Sequence, residues 1–358
     1  MTSATQHLRR ARRHEAGALA LAIVVLHALA FGLLALAMRA HAGAAPAGGV
    51  GLGLGITAYT LGCRHAFDAD HIAAIDNSTR KLMADGRRPL STGFFFSLGH
   101  STVVLALALG LALGAHALQV QVQAGGSTLH ELGDLIGAGV SGCFLYAIAA
   151  ANLASLVGIM RALRRMRARG YAEGATPELG PSAGGPMSRL LGRFAARISS
   201  PRQMYPVGVL FGLGFDTATE VALLLITAGA AAGGLPVYAV LCLPLLFAAG
   251  MSLLDTLDGA FMRFAYGWAL TTPANRLYYN LTTTGLSVAV ALLIGTAELA
   301  SIASEHLGLT GWPGSWLASI DLSTLGYAIV ALFAMTWIVA LAMGRLRGKP
   351  APADPQRA

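Results

Sequence analysis

The chain has 358 residues, of which 55% are hydrophobic and only 12% are charged. Soluble domains are about 45–50% apolar and about 25% charged, so this composition excludes most soluble folds and indicates an integral membrane protein. The net charge of +8 would suggest nucleic acid in a soluble protein. Here the placement of the basic residues indicates membrane orientation instead, and no nucleic-acid partner is expected. Cys63, Cys143 and Cys242 lie in apolar runs without a CxxC pair, so neither a disulfide framework nor a structural zinc site is expected.

Apolar runs of about 20 residues, the length that crosses a bilayer, recur along the chain. They predict an all-α, polytopic membrane protein with eight transmembrane helices. The predicted spans are 17–38, 51–74, 92–114, 133–160, 205–232, 236–261, 281–303 and 323–344. The first apolar run exceeds the core of about 7–15 residues found in a signal peptide, so we expect an uncleaved helix.

The basic residues lie almost entirely on one side of this scheme. The N-terminus, the loops after spans 2, 4 and 6, and the C-terminus carry 23 of the 25 lysines and arginines. The loop after span 2 alone is assigned Arg80, Lys81, Arg87 and Arg88. Because cytoplasmic loops carry such an excess, both termini are predicted to lie inside the cell.

The segment 161–204 is the one long predicted stretch outside the spans. It combines glycines, prolines and nine arginines, a composition typical of a flexible cytoplasmic linker. It therefore divides the chain into a first membrane half, 1–160, and a second membrane half, 205–358. Its arginines are expected to contact anionic lipid.

The ionisable residues within or at the ends of the predicted spans include six carboxylates and three histidines on spans 2, 3, 5 and 6. A charge at mid-bilayer costs about 2.5–3.5 kcal/mol, so such residues indicate function by default. A cation passing among them would compensate this cost, whereas a packing role would not. The candidate metal-binding residues are His65, Asp68, Asp70, His71, His100, Asp216, Glu220, Asp255 and Asp258.

The densest group runs from His65 to His71 on span 2. Imidazole and carboxylate without thiolate fit a borderline divalent ion but do not single one out. On a regular helix the two histidines are about 120° apart, so one ion cannot readily contact the whole group. Either the helix is distorted here, which the glycines upstream favour, or some members orient the ligands. The alternative is a set of helix-end residues wetted at the membrane surface.

The other candidates lie on spans 3, 5 and 6. His100 stands in a Gly-His-Ser-Thr sequence, where a bond to a neighbouring hydroxyl is the alternative to metal binding. Asp216 and Glu220 are separated by four residues, and Asp255 and Asp258 by three. Each carboxylate pair therefore shares one helix face.

Four motifs in this order resemble those of the nickel/cobalt transporter family NiCoT. They are RHAFDADHI at 64–72, FFSLGHSTVV at 95–104, LGFDTATE at 213–220 and GMSLLDTLD at 250–258. The family's HX4DH signature matches as His65, Asp70 and His71. The resemblance covers most of residues 50–300. It implies a single-component permease that imports Ni²⁺ or Co²⁺ across the bacterial cytoplasmic (inner) membrane, as a multi-pass protein that supplies a nickel- or cobalt-enzyme pathway.

The sequence carries no ATPase motif of its own. GxxxxGK[ST] is absent, and the only lysines are Lys81 and Lys349. A divalent cation entering at 100 mV, inside negative, gains about 4.6 kcal/mol, enough for roughly 10³-fold accumulation. Potential-driven uptake by a secondary permease is therefore the expected function. Export of the same ions, and a metal-binding subunit that needs a separate ATPase, are the alternatives.

Enzyme activity is not expected, because the zinc-protease motif HExxH is absent. No cofactor is expected beside the transported ion, and the lipid bilayer is the other expected partner. The sequence indicates neither the oligomeric state nor a preference between nickel and cobalt.

Short stretches of the two halves resemble each other. Phe67-Asp68 and Phe215-Asp216 are 148 residues apart, and Phe96 and Phe247 begin two similar stretches 151 residues apart. The topology gives the matching spans opposite directions, which predicts an inverted repeat of spans 2–4 and 5–7. The span 2 residues should then face the carboxylates of spans 5 and 6 across one polar cavity.

Overall fold

The structure, a computed structural model, describes residues 3–40, 51–87, 89–113, 128–168, 198–214, 217–269, 273–307 and 322–347. Within these ranges every regular element is helical. The helices are α1 Ser3–Ala40, α2 Leu52–His65, α3 Ala69–Ala84, α4 Thr92–Ala112, α5 Thr128–Ala168, α6 Met204–Gly212, α7 Ala218–Ala232, α8 Val237–Ala269, α9 Pro273–Leu307 and α10 Leu322–Arg347, with a 3₁₀ turn at Pro201–Gln203 before α6.

Five of the described helices, α1, α4, α5, α8 and α9, contain stretches long and apolar enough to cross a membrane. Helices α7 and α10 carry the shorter apolar stretches Ala218–Ala232 and Leu325–Thr336. The chain is thus a helical multi-pass membrane protein. The predicted spans 51–74 and 205–232 are each divided into two shorter helices, α2 with α3 and α6 with α7.

The break in the second predicted span follows His65, the last residue of α2. The amides of Phe67 and Asp68 donate to the carbonyls of Arg64 (3.0 Å) and His65 (2.9 Å), a tight three-residue pattern that closes the helix. Asp68 then has an extended backbone (φ −64°, ψ 139°), and α3 begins at the next residue. The distorted helix considered for this signature is therefore confirmed.

The fifth predicted span breaks in the same manner. Helix α6 ends at Gly212, and the amide of Gly214 donates to the carbonyl of Phe211 at 3.0 Å. Thr217 has nearly the same extended backbone as Asp68 (φ −78°, ψ 139°), and α7 begins immediately after it. The two residues between these points, 215–216, lie outside the described residues.

Helix α3 lies in the interior of the protein, although the sequence predicted a loop after residue 74. It contacts α5, α8, α9 and α10. The assignment of Arg80 to a cytoplasmic loop is wrong: the residue is only 6% exposed, and its guanidinium donates to the hydroxyls of Thr284 (3.0 Å) and Ser287 on α9. Polar partners on α9 make this burial possible, and a hydropathy window does not detect them.

A large apolar core lies where α1, α2, α7 and α8 meet. Leu243, Leu246 and Phe247 of α8 are fully buried there. Cys242 belongs to the same cluster, and the three cysteines of the chain are free thiols. This core fixes α8 against the end of α2 that carries the first histidine of the signature.

Helix α2 packs against α8 at two glycines. A β-carbon on Gly62 would lie within 3.0 Å of the carbonyl oxygen of Phe247, and one on Gly250 would lie within 3.0 Å of that of Tyr59. Only glycine permits such an approach of two backbones. These glycines hold the end of α2 directly on α8.

Helix α4 packs against α6 through the corresponding pair of contacts. A β-carbon on Gly208 would lie within 3.0 Å of the carbonyl oxygen of Phe96, and one on Gly99 would meet that of Tyr205. Gly208 follows Gly62 by 146 residues, and the two tyrosines have the same separation. The pairs Phe96/Phe247 and Gly99/Gly250 are each separated by 151 residues. The contact of α2 with α8 and the contact of α6 with α4 thus have the same pattern of residues.

The predicted linker 161–204 is helical at both of its ends. Helix α5 continues to Ala168, and the 3₁₀ turn begins at Pro201. The remainder, 169–197, lies outside the described residues. The division of the chain into two membrane halves stays a prediction.

Candidate metal-binding site

Three histidines from separate chain segments meet at the break in span 2. His65 ends α2, His71 lies in the first turn of α3, and His100 lies in the middle of α4. The three residues are 1%, 1% and 2% exposed, and one nitrogen of each lies within 4.8 Å of the others. The Nε2 atoms of His65 and His100 are 3.1 Å apart. Two ligands about 2.1 Å from one ion and at right angles would be about 3.0 Å apart, so the spacing suits adjacent ligands of one cation.

The helix break brings the two signature histidines together. On a continuous helix His65 and His71 would point about 120° apart. Because the chain turns between α2 and α3, their ring centroids are instead only 4.5 Å apart. The break is therefore the local structure that makes the signature a compact group.

Glu220, in the first turn of α7, is a carboxylate that lies near two of the three rings. Its Oε1 lies 2.6 Å from Nε2 of His100 and 3.8 Å from Nε2 of His65. The Thr217 hydroxyl donates to its other oxygen at 3.0 Å. The residue is 1% exposed, and the free amides at the start of a helix favour its negative charge. Thus Nε2 of His100 contacts a carboxylate and an imidazole, not the neighbouring hydroxyl considered from the sequence.

The other ring nitrogen of His65, Nδ1, also contacts polar side chains. Its Nδ1 lies 2.6 Å from Oδ2 of Asp68 and 3.1 Å from the hydroxyl of Thr219. Such partners fix the orientation of an imidazole and raise its basicity as a ligand. Asp68 is buried behind the ring, so this geometry favours an orienting role for it.

Asp70 and Asp255 flank His71. The backbone amide of His71 donates to Oδ1 of Asp70 at 2.9 Å. Oδ2 of Asp255, on α8, lies 3.6 Å from Nδ1 of His71. Asp255 is 0% exposed, and neither of its carboxylate oxygens has a hydrogen-bond partner among the described residues. Asp258 follows one turn later on α8 and is partly buried.

A small cavity opens onto this group. Its walls come from both halves of the chain. They are formed by His65, Asp70, His71, His100, Gly137, Ala138, Ser141, Phe211, Gly214, Thr217, Glu220 and Glu298. Of the predicted candidates, Asp68, Asp255 and Asp258 are not among these residues, and Asp216 lies outside the described residues. The assignment of all nine residues to metal binding stays a prediction.

Glu298 on α9 is a wall residue of the cavity that the sequence analysis missed. It is 4% exposed, and the hydroxyl of Ser141 on α5 donates to its Oε1 at 3.0 Å. Glu298 lies within the predicted span 281–303, so the criterion applied to the other intramembrane carboxylates would have found it. Within the predicted span 281–303 it is the only acidic residue and has no histidine beside it, which is why no motif drew attention to it.

The membrane-length helices and the buried group of imidazoles and carboxylates define a multi-pass membrane protein with an internal candidate metal-binding site. The family of high-affinity nickel-transport proteins, NicO, matches residues 51–343. The chain belongs to this family, which confirms the resemblance drawn from the four motifs.

Several characterised relatives are similar over most of their length. The nickel transporter NicT of Mycobacterium tuberculosis is 56% identical over 302 residues, covering 83% of this chain and 81% of the relative. The cobalt transport protein NhlF of Rhodococcus rhodochrous is 44% identical over 294 residues, covering 82% of each. The hydrogenase nickel incorporation protein HupN of Bradyrhizobium diazoefficiens is 44% identical over 292 residues, covering 81% of this chain and 75% of the relative. No solved structure is significantly similar to the chain.

Proposed function

We propose that this protein carries Ni²⁺ or Co²⁺ into the cell as a secondary permease of the bacterial cytoplasmic membrane. The observation that carries this proposal is the convergence of His65, His71, His100 and Glu220 on one buried cavity. The relatives named as nickel and cobalt transporters support the choice of substrate.

The donor set suits transport of a borderline divalent ion. Imidazole nitrogens bind nickel and cobalt well, and the nearby carboxylates balance the positive charge. An ion that enters must exchange its waters for these ligands and yet be held weakly enough to leave. The ion is therefore substrate, and we infer direct contacts with the Nε2 atoms of His65 and His100.

The broken spans supply further polar groups around the ion. Carbonyls at the ends of α2 and α6 accept amides of the turns that follow, and the second lone pair of each oxygen can accept a cation's positive charge. The first turns of α3 and α7 carry Asp70 and Glu220, where the helix dipole stabilises negative charge. Paired half-helices of this kind surround the substrate sites of transporters built from inverted repeats.

We infer eight crossings with both termini in the cytoplasm. Each broken span counts as one crossing, and α10 adds the last to the five membrane-length helices. The repeated glycine contacts of α2 with α8 and of α6 with α4 support an inverted repeat of spans 2–4 and 5–7. Rocking of one repeat against the other would expose the histidine cavity to each side in turn.

The membrane potential is sufficient to drive import. A divalent ion gains about 4.6 kcal/mol per 100 mV, and no ATPase motif is present in the sequence. The name of HupN supports delivery of the imported ion to a nickel enzyme such as a hydrogenase.

The test is uptake into liposomes that contain only the purified protein. We expect an inside-negative potassium diffusion potential to accelerate entry of Ni²⁺ and Co²⁺ without ATP, with protein-free liposomes as the control. Binding without uptake would identify a subunit that needs a separate ATPase. Uptake at a rate that is independent of the membrane potential would contradict the proposed energy source. Protection from toxic metal in cells that express the protein would indicate export.

A further inference from the structure

We propose that the cavity at the histidines is the outward-facing part of the ion's path, and that Glu298 is its entry residue, which attracts the hydrated ion before the histidines bind it. The inference rests on the proposed function and adds the direction in which the cavity opens. It gives a role to a carboxylate outside the four motifs and to an apolar cluster on the cytoplasmic side of the histidines.

Ser141 and Glu298 lie near the outer ends of their helices. Ser141 lies six residues after Leu135, where the apolar stretch of α5 begins, and Glu298 lies six residues before Ser304, where that of α9 ends. In the proposed topology α5 begins and α9 ends outside the cell. With a helix rise of about 1.5 Å per residue, both residues therefore lie about 9 Å below the outer ends of these stretches.

His100 lies deeper in the membrane. It precedes Ala112, the outer end of the apolar stretch of α4, by twelve residues, which corresponds to about 18 Å of helix. The wall of one cavity includes His100, Ser141 and Glu298. The cavity thus extends from the histidines toward the outer surface, and an ion from outside reaches Glu298 first.

Glu298 is held in the wall where α5 packs closely against α9. The hydroxyl of Ser141 donates to its Oε1 at 3.0 Å. Next to these residues, a β-carbon on Gly142 would lie 3.3 Å from the carbonyl oxygen of Gly295, and one on Gly295 would lie 3.2 Å from that of Gly142. The two helix backbones are therefore in close contact at this level, which fixes the position of the carboxylate at the cavity.

A carboxylate at this position suits a hydrated cation. Glu298 is 4% exposed, and a charge in the hydrocarbon region is costly unless a partner offsets it. A fixed negative charge in a cleft concentrates cations, and the waters bound to a divalent ion can donate to carboxylate oxygens. Exchange of these waters for imidazole follows at the histidines, because borderline ions such as Ni²⁺ and Co²⁺ bind nitrogen donors well.

An apolar cluster closes the cytoplasmic side of the histidines. Phe96 at the start of α4 and Met204 at the start of α6 are each 0% exposed and belong to one cluster with Ile198. The ring of Phe96 contacts that of His71, with centroids 4.7 Å apart. Nζ of Lys81 donates to the carbonyl of Ile198 at 3.0 Å, which ties the end of α3 to the segment before α6. These ends are cytoplasmic in the proposed topology, so the described helices have the arrangement of an outward-facing state.

Cysteine accessibility in intact cells tests the direction of opening. The starting protein is the full chain with its three native cysteines replaced by alanine, and Ala138→Cys then places one thiol in the cavity wall. We expect a positively charged, membrane-impermeant methanethiosulfonate added outside to modify this thiol, and Ni²⁺ to protect it. Met204→Cys, in the apolar cluster, should stay unmodified. The matched control keeps Cys143 as the only thiol, because it lies on the same helix but not in the cavity wall, and it should also stay unmodified.

Ni²⁺ protection of the same thiol tests the role of Glu298. With Ala138→Cys as the reporter, Glu298→Gln should raise the Ni²⁺ concentration that halves modification by about 10-fold or more. Glu298→Asp should restore most of the difference, since it keeps the charge. Glu15→Gln, on α1 beside Ser91, is the matched control for loss of a carboxylate and should leave that concentration unchanged. An unchanged concentration in Glu298→Gln would exclude Glu298 as the entry residue.

The outcomes separate this inference from the proposed function. Modification of Ala138→Cys only in inside-out vesicles, or in neither preparation, would overturn the outward opening and leave transport standing. Modification of Met204→Cys from outside would overturn the closed cytoplasmic side. If Ala138→Cys lowers the amount of protein in the membrane, Ser141→Cys provides a second reporter in the same wall. No Ni²⁺ uptake by the wild type in liposomes would contradict the proposed function itself.

Discussion

Nε2 of His100 lies 2.6 Å from Oε1 of Glu220, and this contact joins α4 of the first half to α7 of the second. An ion bound at His100 would therefore have ligands from both halves. A movement of one half against the other would change the distance between them. Under the proposed function, the ion would bind where the two predicted halves meet.

His100→Ala should abolish uptake as completely as loss of a signature histidine. From the sequence alone a milder effect was expected, because a hydroxyl-bonded histidine was the alternative. The contacts of His100 with His65 and Glu220 remove that reason. Glu220→Gln should lower uptake by about 10–100-fold, the usual cost of losing a partner of a metal ligand. Labelled-nickel uptake in cells with matched protein levels measures the effect of both variants. Uptake by His100→Ala above a tenth of wild type would contradict the role of His100 in transport.

His65→Ala, Asp70→Ala and His71→Ala should each abolish uptake while the protein stays in the membrane. Each removes a polar group from the wall of the cavity. His27→Ala is the matched control, because this intramembrane histidine bonds the carbonyl of Ile23 on its own helix. Normal uptake by two of the three signature variants would refute the site.

The composition and motifs predicted the class of the protein, its family and most of the polar groups at the cavity. They did so because an ionisable residue in a membrane span is conspicuous whatever its neighbours. The sequence could not decide where the helices break, since the same residues at 64–72 are compatible with a bent or a straight helix. That choice depends on close packing of α2 against α8, which involves residues far apart in the chain.

The interior position of α3 could not be predicted for a related reason. Asp76, Asn77 and Arg80 lower its hydropathy, so it resembles a loop. Their burial is tolerated because partners on other helices satisfy them: Asn152 of α5 donates to Asn77 at 2.6 Å, and α9 hydroxyls bond Arg80. Such complementarity between distant segments is a tertiary property.

Glu298→Gln should reduce uptake without loss of protein from the membrane. Glu298 shares the cavity wall with the histidines, and among the described side chains it is the one carboxylate that α9 contributes to that wall. Loss of its charge should weaken attraction of the cation, so the apparent affinity for Ni²⁺ should fall more than the maximal rate. Ser141→Ala removes its hydrogen bond and should have a smaller effect of the same kind. Concentration-dependent uptake distinguishes them, and an unchanged half-saturating concentration in Glu298→Gln would exclude a role in binding.

Reporter fusions test the topology. Fusions after Arg88, within 165–195 and at the C-terminus should report the cytoplasm, whereas fusions near Gln123 and Gly308 should report the outside. The expectation follows from the one-sided distribution of basic residues. A C-terminus that faces outward would require an odd number of crossings, and the pairing of broken spans would then need another explanation.

The glycine contacts test whether the two halves are built as one repeat. Gly62→Ala on α2 and Gly208→Ala on α6 place a methyl group against the backbones of Phe247 and Phe96, respectively. Overpacking costs about 1–3 kcal/mol and more where backbone cannot move, so both variants should lower the melting temperature of the purified protein. Because the contacts correspond in the two halves, the two losses should be similar in size.

The matched controls are Gly53→Ala on α2 and Gly229→Ala on α7, where an added β-carbon meets no atom within 4 Å. Both are helix positions at which alanine is favoured over glycine, so these variants should be as stable as wild type or slightly more stable. Thermal unfolding followed by tryptophan fluorescence in detergent measures all four. Destabilisation by Gly62→Ala with no effect of Gly208→Ala would mean that the two contacts are not equivalent, which would remove the structural support for the inverted repeat.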